Sequence, residues 1–401
     1  MGIETLPRPY YRVLGASGLS NLADGIRMAA FPLLAASLTD DAMLVAAVFV
    51  AGEAPWVVLG FWAGKLADQV DRRRLISRVT IARTLLLFAL AALVLADAAS
   101  LWLVALAAFV LGGAEVLADS ATGTLVPSIV APDQLERANS RMVAAHIVGN
   151  ELVGPAIGGL LFAVGASLPL FTNGSLLAVA LVLLAGLPLI EPVPPDADPE
   201  PARPQALDGI PFVRNNRILR TITWSSSVLA AVDAAWFALL VLFVRDQLGL
   251  GPAGFGLSLA VGAVGGLAGA AIADHRPHRP LATVALVVFG STAISLIALG
   301  LTPTLAVTLV TLVTTSAAFA IWNVHMVSTR QRVTPNHLLG RVGATYRTAV
   351  VTASMVGALV GGLVADLTSL RGAIVGYGLV LLVAGPLAVA GFSAAARRST
   401  P

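Results

Sequence analysis

Cysteine is absent from the 401 residues, which excludes disulfides, thiolate metal ligands and cysteine nucleophiles. Charge is also scarce. Asp, Glu, Lys and Arg make up 12% of the chain, about half the share of a soluble globular domain. Lysine is nearly missing, with Lys65 the single instance. Neither an HExxH nor a GxSxG motif is present, and there is no P-loop, so zinc-protease chemistry, serine hydrolysis and direct ATP drive are not expected. The chain is therefore not read as an enzyme, and no cofactor or metal is implied. The formal charge of +3 is not gathered on one soluble face, as nucleic-acid binding would require.

What the chain has in abundance is apolar sequence, at 57% of residues. A bilayer core about 30 Å thick takes roughly 20 apolar residues per helix. Stretches of that length recur, predicting an all-α membrane protein with twelve spans at 13–38, 43–65, 75–97, 100–122, 141–165, 168–190, 218–245, 252–274, 280–301, 303–328, 342–367 and 370–393. Met1 to Tyr11 lacks the apolar core and cleavage site of a removable signal, so the first helix is expected to be retained. Arginine clusters such as Arg72, Arg73, Arg74 and Arg78 fall on one side of the twelve-span reading, and the other side's loops hold only Arg245 and Arg371. The positive-inside rule then puts both termini in the cytoplasm. The preference for arginine and the abundant alanine suit a GC-rich bacterial genome, hence a bacterial inner membrane.

Between the sixth and seventh spans, prolines crowd Ile190 to Pro211, which predicts a linker over 191–213 joining halves at 1–190 and 214–401. The halves echo each other. Val130 to Leu160 aligns without gaps on Val333 to Leu363, setting Pro132 against Pro335 and Gly154 against Gly357. Ala67, Asp68 and Arg73 are matched by Ala273, Asp274 and Arg279, and Asp24 has a counterpart in Asp233. Two pseudo-repeated six-helix halves are an architecture of alternating-access carriers.

Gly64-Lys65-Leu66-Ala67-Asp68, followed by Arg72-Arg73-Arg74 after the second span, resembles the loop signature of the major facilitator superfamily. Gly154-Pro155-Ala156-Ile157-Gly158-Gly159 is similar to the antiporter motif of that superfamily's drug:proton exporters, and Ser20 to Gly25 with Gly340-Arg341 resembles the macrolide-efflux and enterobactin-exporter branch. The resemblance runs from Tyr11 to Phe392. It implies the twelve-helix fold, a small-molecule substrate and gating roles for Gly64, Asp68, Arg72, Arg73, Gly154, Pro155, Gly158 and Gly159. The sequence departs from the pattern at Gln69, at Asn150 and in a fourth span without arginine.

A charged side chain in the bilayer centre costs about 2.5–3.5 kcal/mol on insertion scales, so each one is a functional candidate. Asp24, Glu53, Glu151 and Asp233 fall near mid-span, and Glu115 sits one turn from Asp119. A carboxylate desolvated at that depth can exchange protons near neutral pH. These five, Asp24, Glu53, Glu115, Glu151 and Asp233, are the candidate proton-coupling residues. Asp119, nearer the inner surface, is read as a gate that pairs with Arg72. Ser17, Asn21, Asp24, Met28 and Phe31 share one face of the first helix, and Arg27 lies one turn from Asp24. Of these, Asn21, Arg27, Met28 and Phe31, together with Trp56, Asn150, Trp236, Phe319, Trp322 and Asn323, are candidates for a substrate cavity. Arg83 is expected to pair with an intramembrane acid.

The expected function is export of an amphipathic small molecule, such as a drug, antibiotic or siderophore-like metabolite, in exchange for protons, by a monomer in the lipid bilayer. A proton-coupled uptake carrier of the same fold, or an uncoupled ligand- or lipid-binding membrane protein, are the alternatives.

Overall fold

The computed structural model describes residues 6–59, 70–126, 129–131, 134–186, 205–275, 279–335 and 338–396. Among them the chain is helical throughout, without strands. The helices are α1 (Arg8–Leu38), α2 (Ala42–Val58), α3 (Arg72–Leu95), α4 (Leu101–Leu125) and α5 (Leu135–His146), a π segment (Ile147–Val153), then α6 (Gly154–Val164) and α7 (Leu168–Ala185). They continue as α8 (Gln205–Asn215), α9 (Arg217–Asp246), α10 (Pro252–His275), α11 (Leu281–Leu301), α12 (Leu305–Val333), α13 (Leu339–Leu367) and α14 (Leu370–Ala396).

Local chemistry explains several starts. Asp71, Ser100, Asn216 and Thr304 accept backbone N–H bonds from Arg74, Leu103, Leu219 and Val307, capping α3, α4, α9 and α12. Ten spans are long and apolar enough to cross a membrane, the continuous run Arg137–Val164 counting as one. The other two expected spans fall on α1, which carries Asp24 and Arg27, and on α2, an apolar helix of 17 residues. Gly64, Asp68, Pro132 and residues 191–204 lie outside the described residues.

One expectation changes. The end of the expected linker is helical, with Pro211 inside α8. Burial outweighs the lost backbone bond: Val213 joins Leu219 and Val342 in an apolar cluster packed by Phe212, Val333 and Leu338, and Gly209 lies against the backbone of Arg341.

The chain packs as two units. The first comprises Met1–Thr39, Ala51–Pro201 and Gly251–Ala260. In it α1 is surrounded by α7, α6 and the π segment, and α3 packs on α7 and α4. Glycine allows close approach: a Cβ on Gly154 would stand 2.6 Å from Gly25 Cα, and one on Gly158 would stand 2.5 Å from the Ile26 carbonyl.

The second unit comprises Asp40–Val50, Ala202–Leu250 and Val261–Pro401, with α9 packed on α13 and α11 on α14 and α12. The crossing repeats there at the aligned positions, where Gly357 and Gly361 lie against Ala231 and Ala235 of α9. Asp366 holds the start of α2, its carboxylate accepting from the backbone N–H groups of Ala42 and Met43 at 2.9 Å each, and Arg245 pairs with Asp40 at 2.8 Å. The sequence repeat thus has a packing counterpart in each unit.

Candidate functional site

Asp24 is 6% exposed in the middle of α1. Its carboxylate receives the Arg83 guanidinium from α3, accepts from Ser20 Oγ at 3.5 Å, and lies 3.5 Å from Arg27 Nε. Arg83 Nη1 also donates to Ser20 Oγ at 3.2 Å, and Arg27 reaches across to pair with Glu115 of α4. Two acids and two arginines therefore form one closed network with balanced charge, as burial of ions in a low dielectric requires. Glu53 on α2 lies within electrostatic reach of Arg27. Arg27, a substrate candidate by sequence, is thus surrounded by three acids. Glu115 and Asp119 do not crowd each other without relief, because Arg27 engages the first.

Below the network lies a small cavity of about 40 Å³, lined by Ser17, Ser20, Asn21, Thr80, Asp119 and Thr122 among others. Ser20 belongs both to the cavity wall and to the Asp24 shell. Asp119 is exposed at this wall and Arg72 is buried at the start of α3; among the described residues the two form no ion pair.

A second polar group centres on the π segment. His146 Nε2 stands 3.7 Å from Glu151 Oε1, and its Nδ1 lies 3.4 Å from Asn21 Oδ1. Asn21 in turn donates to Ser17 Oγ at 3.4 Å. His146 and Glu151 are 50% and 46% exposed. Ionisable groups in membrane helices face water or protein rather than lipid, and these two leave about half of their side chains uncovered within the first unit. The adjoining Asn150 places its backbone against Gly25.

In the second unit Asp233 occupies the same step of α9 as Asp24 does of α1, each sixteen residues beyond the first residue of its helix. Its surroundings differ. Among the described residues no hydrogen bond or ion pair reaches Asp233. The aromatic residues of this unit mostly serve packing. Trp236 is 2% exposed and meets Phe243 edge-on. Trp322, equally buried, donates its indole N–H to Ser226 Oγ at 2.8 Å and stacks edge-on with Phe289 and Phe392. Neither indole is open to a ligand in this arrangement. Phe319 and Asn323, one turn apart on α12, are exposed, whereas Phe31 is buried and Met28 and Trp56 are half-buried.

Sequence reading missed the partners more than the residues. Arg83 was expected to meet an acid, but which acid depends on how α3 meets α1. Ser20 enters only as the start of the run Ser20 to Gly25, which does not show its place between Asp24 and Arg83.

Solved structures with the same fold are transporters. A bacterial homologue of the human lysosomal transporter Spinster, in an inward-facing and unoccupied conformation, matches with a TM-score of 0.74 at 15% identity over 98% of this chain and 99% of its own. The nucleoside transporter NupG matches with a TM-score of 0.78 at 13% identity over 96% and 99%. A bacterial homologue of the iron transporter ferroportin in an inward-facing state matches with a TM-score of 0.73 at 19% identity over 98% and 99%. No curated relative matches by sequence. The family model described as Major Facilitator Superfamily matches residues 13–353. With its all-helical fold and its buried charged network, the chain belongs to the major facilitator superfamily and is a multi-pass membrane transporter of small molecules.

Proposed function

We propose that this transporter exports amphipathic small molecules in exchange for protons, by alternating access of two six-helix halves, 1–190 and 214–401, joined through 191–213. In this reading twelve spans bring both termini to one side, the arginine-rich side is the cytoplasm of a bacterial inner membrane, and the unit of function is the monomer. The observation that carries the coupling is Asp233. No described cation neutralises it, so a proton is the cation available to do so as the site moves between the two sides.

Asp24 takes a different part in this reading. Its charge is already balanced by Arg83 and Arg27, so it organises the first half, and a proton arriving through the Ser17–Asp119 cavity would loosen the network rather than travel alone. Glu151, beside His146, is the water-facing acid through which protons equilibrate with the aqueous space. Phe319 and Asn323 are the exposed aromatic and polar contacts for substrate. The glycines at Gly154, Gly158 and Gly159, with Pro155, serve gating by letting helices pass closely. Gly64, Asp68, Arg72, Arg73 and Asp119 complete the gate on the side of the arginine cluster.

Everted vesicles energised to an inside-acid gradient test this directly. Dissipation of the gradient on adding a macrolide, a lipophilic cation or a siderophore, lost in Asp233→Asn, is the expected outcome. Substrate accumulation in right-side-out vesicles driven by an inward proton gradient would establish an uptake carrier instead.

A further inference from the structure

The first two turns of α3 carry, next to the proposed gate, a feature that gating by Arg72 and Arg73 does not account for. Arg73, Arg74, Ser77 and Arg78 line a cavity of about 330 Å³. Among the described residues no carboxylate lines this cavity, and the nearby Asp71 accepts the backbone N–H of Arg74 as the helix cap. Arg73 is fixed in place, donating to the carbonyl of Ala185 at the end of α7 at 2.7 Å, while Arg74 and Arg78 are exposed. Among the described residues neither has an acidic partner.

The face on which they stand continues into Ile81 and Leu85, which are 46% and 64% exposed. Exposed aliphatic side chains on a helix that crosses the membrane meet acyl chains. Arg78 lies three residues before Ile81, a rise of about 4.5 Å, so its guanidinium sits at headgroup depth. We infer that Arg73, Arg74, Ser77 and Arg78 form a binding site for the phosphodiester of an anionic phospholipid, whose chains lie along Ile81 and Leu85. Guanidinium groups offer paired N–H donors to phosphate oxygens, and the Ser77 hydroxyl adds another donor. A free phosphate would satisfy the arginines, but it would leave the adjoining apolar face unused.

Protein purified in a non-ionic detergent is titrated with phosphatidylglycerol or phosphatidylcholine, and bound lipid is counted by native mass spectrometry. Phosphatidylglycerol should bind preferentially, and the double variant Arg74→Gln/Arg78→Gln should weaken it roughly 30-fold at low ionic strength, the loss expected of two surface cations. A comparison variant, Arg217→Gln/Arg220→Gln, removes the same charge from α9 and should stay within about twofold of the parent. Equal losses in both variants would reduce the effect to diffuse charge and overturn the site. So would equal binding of the two lipids. Displacement of phosphatidylglycerol by millimolar inorganic phosphate would make the free anion the ligand and overturn the lipid assignment. Unchanged unfolding temperatures in phosphatidylcholine keep each reading separate from misfolding.

Discussion

Arg83 on α3 and Asp24 on α1 hold each other in the interior of the first unit, at 2% and 6% side-chain exposure. Removing one partner strands the other's charge. Arg83→Ala should destabilise the detergent-solubilised protein by about 3–5 kcal/mol, whereas Arg83→Leu combined with Asp24→Leu should recover much of that loss. Thermal unfolding of the two variants is the check, and a double variant no better than the single one would refute the pairing argument.

Asp233→Asn should fold normally, since no described partner is lost. Substrate-dependent proton movement should disappear while exchange of labelled for unlabelled substrate across the vesicle membrane persists. Wild-type proton movement in the variant would remove Asp233 from the coupling role.

The absence of cysteine makes the water-facing surface easy to map. Glu151→Cys and His146→Cys should react with a charged maleimide, because both sites are about half exposed and polar. Leu85→Cys, at an exposed aliphatic position of α3 that the lipid-site proposal sets against acyl chains, should not. Reaction at 85 but not at 151 would invert the assignment of wet and lipid-facing surfaces.

Gly154 and Gly357 should respond alike. Alanine at either position brings a methyl group into the backbone of the neighbouring helix, with an expected loss of about 1–3 kcal/mol from overpacking. A neutral outcome at one site only would show that the two crossings are not equivalent.

Trp322→Phe should cost about 1 kcal/mol through the lost bond to Ser226 and leave substrate affinity unchanged, while Phe319→Ala should weaken substrate binding with little effect on stability. Equilibrium binding beside thermal unfolding separates the two.

Much of this was legible in the sequence. Apolar run lengths placed the spans, because lipid permits few alternatives to a helix, and the Gly154 and Gly357 alignment anticipated a crossing that recurs in both units. Charged residues in apolar runs marked Asp24, Arg27, Arg83, Glu115 and Asp233 as candidates. Which of them would pair was not legible, because pairing depends on which helix faces meet, and hydropathy does not record rotation about the helix axis. For the same reason the sequence lists Trp236 and Trp322 among cavity aromatics without showing that both are buried against neighbouring rings. The α8 helix was hidden by proline composition, since its stability comes from Val342 and Leu219, which are distant in sequence from Val213 or lie beyond the helix end.

The π segment Ile147–Val153 acts as a phase shifter within a single span. Ahead of it the helix turns His146 toward Asn21, and behind it the helix turns Gly154 and Gly158 onto α1. A regular α-helix advances about 100° per residue and a π turn holds about one residue more than an α turn, so the same residues wound as a regular α-helix would turn everything beyond the segment by about 100°. The glycine seam and the polar face could then no longer both be in register with α1. The wide turn is what allows one helix to keep two appointments with the same neighbour, by taking up one residue in its girth.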